Sequence, residues 1–378
     1  MVNFLLSKKK FLEEFQKKKK PTFREFTNNS VVLNYKGERK PLLEYAKMRD
    51  LTQDDLHLVH QQMIDPETYL SAFYDRSLQV DKETYLDELS NEKAMPKNAI
   101  DNDQKTKYKN LIRNLFYREI LEETQSGLAN VKSFLTVVRG FYLLGEIDYK
   151  LLTPSALHYM RKNQISSNFS SFYFRASIMN PFLVMSLQEC YFKAERVFTP
   201  TLGWGSYLTG FLASNRFPIK QYVGVDVIPS VCRKVSAMIP EHVQGEIVCR
   251  GSEILAKDAR FFTKYKGVFD TVFFSPPYYE LEMYAGDKQS VRQYHTYEEW
   301  LDGYWAPTMH LCATVLKDGG IMCFIISDYD KYSLVNDMKT RALLSKEFRF
   351  IKKIPMLNKQ VNYREKDRGE QILFFTRV

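Results

Sequence analysis

From about Ser166 onward the chain alternates short apolar runs with amphipathic stretches, and few folds can bury such a sequence. The apolar runs fall at 196–198, 221–225, 246–249, 271–274, 320–326, 348–354 and 371–376. Short runs bounded by turn signals suit strands covered on both faces, and the periodic stretches between them suit crossover helices. Repeated βα units of this kind predict a doubly wound α/β fold around a seven-stranded, mainly parallel sheet.

The preceding half reads differently. Residues 107–123 place Tyr108, Leu111, Leu115, Ile120 and Leu121 near helical spacing, and residues 131–144 continue with Phe134, Val137, Val138, Phe141 and Tyr142. The polar stretch 87–105, with Pro96, suits a loop. A boundary near 152–166 divides the chain into a mostly helical N-terminal domain, 1–160, and an α/β domain, 161–378. Length alone allows two domains.

The most informative string is Phe273-Phe274-Ser275-Pro276-Pro277-Tyr278, a buried-strand run that stops at a polar residue and two prolines. Prolines have no N–H and a fixed φ, so the pair holds the chain stiffly with its carbonyls available as acceptors. An exocyclic amine on a base is a poor nucleophile because its lone pair is delocalised into the ring. Acceptors at Ser275 Oγ and the Pro276 carbonyl would hold both amine hydrogens and favour a pyramidal nitrogen, and Tyr278 would give the base an aromatic face. By itself the string also fits an ordinary strand-to-loop exit.

Two other strand ends lie upstream. Thr199 closes the run at 196–198 and is followed by Gly203-Trp204-Gly205, a turn whose glycines allow close approach of backbone to a ligand. About twenty residues on, Tyr222-Val223-Gly224-Val225-Asp226 ends in a carboxylate suited to ribose hydroxyls. A glycine turn, an acid at the next strand end and Ser-Pro-Pro-Tyr after a further βα unit form a specific constellation.

With these residues in place, the stretch from about Ser166 to Val378 resembles the amino-methyltransferases that modify cytosine N4 and adenine N6 in DNA. The resemblance implies a Rossmann-like, seven-stranded methyltransferase domain. It also implies S-adenosyl-L-methionine as cofactor, held by Gly203, Trp204, Gly205 and Asp226, with Ser275, Pro276, Pro277 and Tyr278 as the catalytic tetrapeptide. Ser166-Ser167-Asn168-Phe169, with Arg175 beyond it, resembles the segment that contacts the methionine end of the cofactor, so Asn168 and Phe169 join the candidate binding residues. An N-capped helix entry accounts for that segment equally well. Trp300, Trp305 and the turn at Leu316-Lys317-Asp318-Gly319-Gly320 match later family elements that serve packing. Serine in the first tetrapeptide position is associated with cytosine N4, and adenine N6 stays open.

The chain departs from the family pattern in two places. Thr199 joins the candidate cofactor-binding residues but stands where an Asp is usual, removing one charged contact to the cofactor. No target-recognition domain follows the last strand, so DNA recognition is expected from 1–160, from inserted loops or from a partner subunit. The expected reaction is direct methyl transfer without metal or covalent enzyme intermediate. RNA or a protein glutamine can present the same amino chemistry to such a tetrapeptide, and a silent methyltransferase-like subunit is the alternative from another class.

Lesser candidates surround this set. Glu253 and Asp258 follow the third strand, where an acid can meet the cofactor's adenine or simply favour a helix start. Glu280, Glu282 and Tyr284 suit a base pocket or a solvated turn, and His295 a substrate contact or the surface. The net charge is +9, which suits a polyanionic partner such as DNA. The runs Lys8–Lys10 and Lys17–Lys20, and the set Lys352, Lys353, Lys359, Arg364, Lys366 and Arg368, are phosphate-facing patches or solvated surface. Five widely spaced cysteines exclude a CxxC metal site or disulfide framework, and Cys312 and Cys323 read as buried apolar residues. The apolar start is too short for a signal peptide, and no run approaches the ~18 residues of a membrane span, so an intracellular site is expected.

Overall fold

The computed structural model describes residues 4–16, 19–165, 169, 172–357 and 369–378. The described chain forms two compact units, each built from separate stretches of sequence. One contains Val80–Phe116 and Ile178–Val378, the other Leu5–Gln79 and Tyr117–Ser177.

The first unit is the α/β layer. Its strands are β1 (Arg196–Thr199), β2 (Gln221–Asp226), β3 (Gln244–Cys249), β4 (Phe269–Phe274), β5 (Leu316–Ile326), β6 (Phe348–Pro355) and β7 (Gln371–Arg377), in the spatial order β6-β7-β5-β4-β1-β2-β3. All run parallel except β7, which is antiparallel to both neighbours. The fold is therefore a Rossmann-like seven-stranded α/β sheet, as the alternation of apolar and amphipathic runs predicts. The periodic segments form α2 (Ser206–Leu212) after β1, α3 (Pro229–Ser236) after β2, α4 (Ala259–Tyr265) after β3, α5 (Ala306–Val315) after β4 and α6 (Leu334–Leu344) after β5. A further helix, α1 (Pro181–Leu187), precedes β1. It lies so close to α2 that a Cβ on Gly210 would stand 2.5 Å from Val184 Cβ.

Phe198, Phe273, Phe324 and Phe375 line successive strands and are wholly buried. Each such side chain contributes about 1.5–3 kcal/mol relative to exposure. The 316–320 turn expected before the fifth strand is absorbed into it. Leu316 already pairs with Phe269, the register then shifts before Ile321, and Gly319 takes the positive φ that the bulge requires.

The division at 160/161 needs correction, because Val80–Phe116 packs with the sheet rather than with the helical unit. Polar ties explain why. Asn180, fully buried at the start of α1, donates from its backbone N to Asn102 Oδ1 (2.8 Å) and from Nδ2 to the Gln104 carbonyl (2.6 Å). Ser186 Oγ accepts from Met95 N at 3.0 Å, and Tyr191 Oη donates to the Lys97 carbonyl at 2.8 Å. Asp101 also bridges to Leu357 beyond β6. Hydrogen bonds of this kind leave no signature in hydrophobic periodicity.

The second unit is mostly helical, as expected, around Phe11, Phe15, Phe73, Phe134 and Phe141. Arg139 ties its pieces together, reaching Glu14 at 2.7 Å and Glu122 at 2.8 Å. It also holds a small sheet of Arg39–Pro41, Val31–Leu33 and Glu146–Asp148 that the pattern analysis missed, since three-residue strands are too short to show a period.

Among the described residues no helix is long and apolar enough to cross a membrane. Asn180→Ala should destabilise the α/β unit by about 1–3 kcal/mol, since the carbonyl of Gln104 and the N–H of Phe182 lose their side-chain partner. A fall in the thermal midpoint, with earlier proteolytic cleavage within 91–105, is the expected result.

Candidate active site

In open α/β sheets the ligand crevice lies beyond the carboxyl ends of the strands where their order reverses. Here the order reverses between β1 and β4, which pair as Val197 with Thr271 and Phe198 with Val272. Beyond that pairing, one strand runs into the glycine turn and the other into Ser275-Pro276-Pro277-Tyr278. The carboxylate of Asp226 ends β2, the next strand outward.

The glycine turn has an unusual backbone. Leu202 is right-handed, and Gly203, Trp204 and Gly205 follow with φ of 52°, 58° and 80°. At Gly203 the absence of a side chain is compulsory, because a Cβ there would lie 2.2 Å from Cζ of Tyr207. Trp204 carries the conformational cost of a left-handed non-glycine residue, and its indole is buried against Phe116 and Tyr284, with ring centres 6.0 and 5.8 Å away.

Tyr207 is the residue that sequence analysis overlooked. Its ring fills the space under Gly203, and its Oη accepts from Ser275 N at 2.9 Å. Thr201 Oγ1 donates to the Ser275 carbonyl at 3.2 Å, so the first residue of the tetrapeptide is held on both backbone polar groups by the glycine-turn segment. A tyrosine one residue into an apolar helix looks like ordinary core, which is why spacing did not mark it.

Asp226 is tied to the same turn. Its Oδ2 accepts from Leu202 N at 3.2 Å and its Oδ1 from Ile228 N at 3.0 Å. Burial pushes its carboxyl above the ordinary Asp range, opposed by the N–H groups of Ile228, Leu202 and Val227. No ion pair to it forms among the described residues, and each oxygen keeps lone pairs for further donors. Glu253, in the short helix Ser252–Leu255 after β3, is also buried, and burial likewise raises its carboxyl. Ser206 Oγ, at the first position of α2, is buried with no hydrogen-bond partner among the described residues.

In the tetrapeptide, Ser275 Oγ donates to the Ile325 carbonyl of β5 at 3.1 Å. Its hydrogen is thereby committed and its lone pairs face elsewhere. Pro276 is buried, and among the described residues its carbonyl accepts no hydrogen bond. Tyr278 Oη donates to Glu370 Oε1 at 2.9 Å, and burial pushes the phenol well above its usual range. The following Tyr279 turns the chain with φ 45° and is buried against Tyr297, Trp300 and Tyr332.

Several expected residues do something else. Thr199 is fully buried, with Oγ1 bonded to Tyr222 Oη at 2.8 Å, so its side chain braces β1 against β2 and is not presented to a ligand. Phe169 is a core residue of the helical unit, among Tyr69, Phe134, Phe141 and Tyr173, and its assignment to the cofactor is corrected accordingly. Asn168 lies outside the described residues, as do Lys17, Lys359, Arg364, Lys366 and Arg368. Asp258 caps α4 and pairs with Arg250 at 2.9 Å. Glu282 is buried and accepts from Tyr284 Oη at 2.6 Å, while Glu280 and His295 are exposed. Trp300 and Trp305 are wholly buried packing residues, as are Cys312 and Cys323.

No family model and no curated protein matches the sequence. Solved structures similar to the chain include the N-methyltransferase NodS of Bradyrhizobium japonicum in complex with S-adenosyl-l-homocysteine, at 12% identity over 52% of this chain and 83% of that one, with a TM-score of 0.32. TrmN of Thermus thermophilus matches at 16% identity over 52% and 49%, with a TM-score of 0.34. A methyltransferase of Pyrococcus furiosus matches at 15% identity over 52% and 82%, with a TM-score of 0.35.

The raised Asp226 carboxyl has a consequence for stability. A carboxyl whose folded pKa exceeds its unfolded value stabilises the fold while protonated, and that contribution is lost as pH rises through the folded pKa. Asp226→Asn should therefore remove part of the stability lost by the wild type on going from acid to neutral pH. Thermal midpoints of both proteins across that interval check this, and parallel pH profiles would show that Asp226 is not desolvated.

Proposed function

We propose that the protein is an S-adenosylmethionine-dependent methyltransferase acting on an exocyclic amino group of a DNA base, cytosine N4 in preference to adenine N6. The observation that carries this is the pair of acceptors at the end of β4. Ser275 Oγ has given its hydrogen to Ile325, and the Pro276 carbonyl has no donor among the described residues. Two acceptors side by side match the two hydrogens of an amino group, and no N–H of either proline competes with them.

The residues around the glycine turn fit the cofactor. The Asp226 carboxylate has no ion pair among the described residues and retains capacity for two ribose hydroxyls, Glu253 offers a second acid beyond β3, and the Ser206 hydroxyl lacks a partner. Gly203, Trp204 and Gly205 would let the cofactor approach the backbone of the turn. Bound there, S-adenosylmethionine supplies an electrophilic methyl group on a sulfonium. Ser275 and Pro276 would hold the amine in line with it, and Tyr278 would hold the ring. Positioning and fixed acceptors of this sort contribute without any change in the enzyme's covalent structure. A net charge of +9 supports a nucleic acid over a protein amide as substrate. DNA is the expected partner, with a partner subunit as a possible source of target recognition.

Ser275→Ala and Tyr278→Ala should each slow methyl transfer to DNA by about tenfold or more, a barrier increase of about 1.4 kcal/mol, with cofactor affinity retained. Asp226→Ala should instead weaken cofactor binding by about 1.5–3 kcal/mol. Calorimetry with S-adenosylhomocysteine and transfer of labelled methyl to unmodified DNA separate the two effects. A wild-type chain that binds cofactor and DNA yet modifies no base is a silent subunit. Methylation of RNA or of a glutamine in its place would move the substrate, and DNA affinity that ignores salt would count against any nucleic acid.

A further inference from the structure

Methylating an amino nitrogen creates a proton that must leave. The N–C bond forms as the C–S bond breaks, the C–S electron pair returns to sulfur, and the nitrogen is left cationic until one of its hydrogens departs. The groups that hold the amine in the proposed site, Ser275 Oγ and the Pro276 carbonyl, are not bases. A titratable chain begins in the same tetrapeptide at Tyr278, whose hydroxyl donates to Glu370 at 2.9 Å.

Glu370 is well placed for this by the fold. Its backbone carbonyl accepts from Met356 N at 2.8 Å, and the next residue, Gln371, pairs with Pro355 at the base of the β6–β7 ladder. The carboxyl is thus anchored by the sheet, next to the crevice. Burial is the main influence on it and raises its proton affinity, while Tyr278 and Lys109 oppose the rise and Glu282 and Asp103 add to it. Lys109 is itself buried and paired with Asp103 at 3.3 Å, and the Glu370 charge also acts on the buried Tyr207 phenol. Tyr278 closes the same tetrapeptide that Ser275 opens, so it links Glu370 to the segment proposed to hold the amine.

We infer that Glu370 is the proton acceptor behind Tyr278: once the N–C bond has formed, one hydrogen of the cationic nitrogen leaves its acceptor and passes to Tyr278 Oη as Tyr278 passes its own to the Glu370 carboxylate. Glu370 acts through Tyr278 and is a positioning residue rather than a catalytic one. The inference rests on the amino-methyltransferase function proposed above. It explains an otherwise costly feature, a desolvated carboxylate with no direct ion pair among the described residues, sited one hydrogen bond from the tetrapeptide.

Glu370→Gln keeps an acceptor oxygen for Tyr278 but cannot take a proton. In single-turnover transfer of labelled methyl to unmodified DNA by the full chain, this variant should be slower by about tenfold or more near neutral pH, with the KM for cofactor and DNA unchanged. The wild-type rate should fall on the acid side as Glu370 fills with protons, and the variant should lack that limb. Tyr278→Phe, which keeps the ring and breaks the relay, should show the same rate and the same flat limb, and it carries the test should Glu370→Gln fail to fold. Independently of turnover, the infrared difference between wild type and Glu370→Gln should contain a carboxylic acid band that titrates above the ordinary Glu range. A wild-type rate and pH limb in Glu370→Gln, or a band titrating in the ordinary range, overturns the relay while leaving methyl transfer in place. A wild type that binds cofactor and methylates no nucleic acid overturns the function itself, and the relay with it, whatever the band shows.

Discussion

The site depends on one buried phenol. Tyr207 stands inside α2 with its ring under the glycine turn and its hydroxyl on the backbone N–H of Ser275. Since the ring leaves no room for a Cβ at position 203, the turn must have glycine there, and since the hydroxyl accepts from Ser275, the end of β4 is set relative to the end of β1. Two loops from different crossovers are thereby fixed to each other through a rigid side chain. A longer, more flexible residue in this place would reach the same N–H but fill less of the space below Gly203.

Electrostatics divides the crevice into two regions. Asp226 and Glu253 lie beyond β2 and β3, while Glu370 and Glu282 lie beside the tetrapeptide. Asp226, Glu253 and Glu370 are each raised by burial, which opposes their joint ionisation. Donors that enter the first region, or a proton that arrives in the second, relieve the same desolvation cost. Asp226, Glu253 and Glu370 form no ion pair among the described residues, and buried acids of that kind are poor stabilisers of a fold.

Much of this was legible in the sequence because it follows from local rules. The five inner strands were visible as apolar runs because both their faces are covered, whereas the edge strands β3 and β6 are partly exposed and show as runs broken by polar residues. Gly203, Gly205, Asp226 and Ser275-Pro276-Pro277-Tyr278 were visible because strand ends and turns restrict residue type. Tyr207, Glu370 and the excursion of Val80–Phe116 were hidden. Each depends on a partner far along the chain: Tyr207 on Ser275, Glu370 on Tyr278, Asn102 on Asn180. Thr199 misled for a related reason. At a strand end its hydroxyl looks available, but Tyr222 on the neighbouring strand takes it.

The contrast between the acidic crevice and the basic chain bears on how a substrate would enter. With a net charge of +9 and acids gathered at the strand ends, the basic excess must lie elsewhere on the surface. A phosphate would be repelled by Glu370 and Glu282, whereas an uncharged ring bearing an amino group loses little on meeting them and gains acceptors. A nucleic acid satisfies both conditions only if the base leaves its stack and enters alone, with the phosphates held outside by basic groups. On the function proposed above, the division of charge favours an extruded base over a duplex edge and a source of sequence recognition outside the crevice.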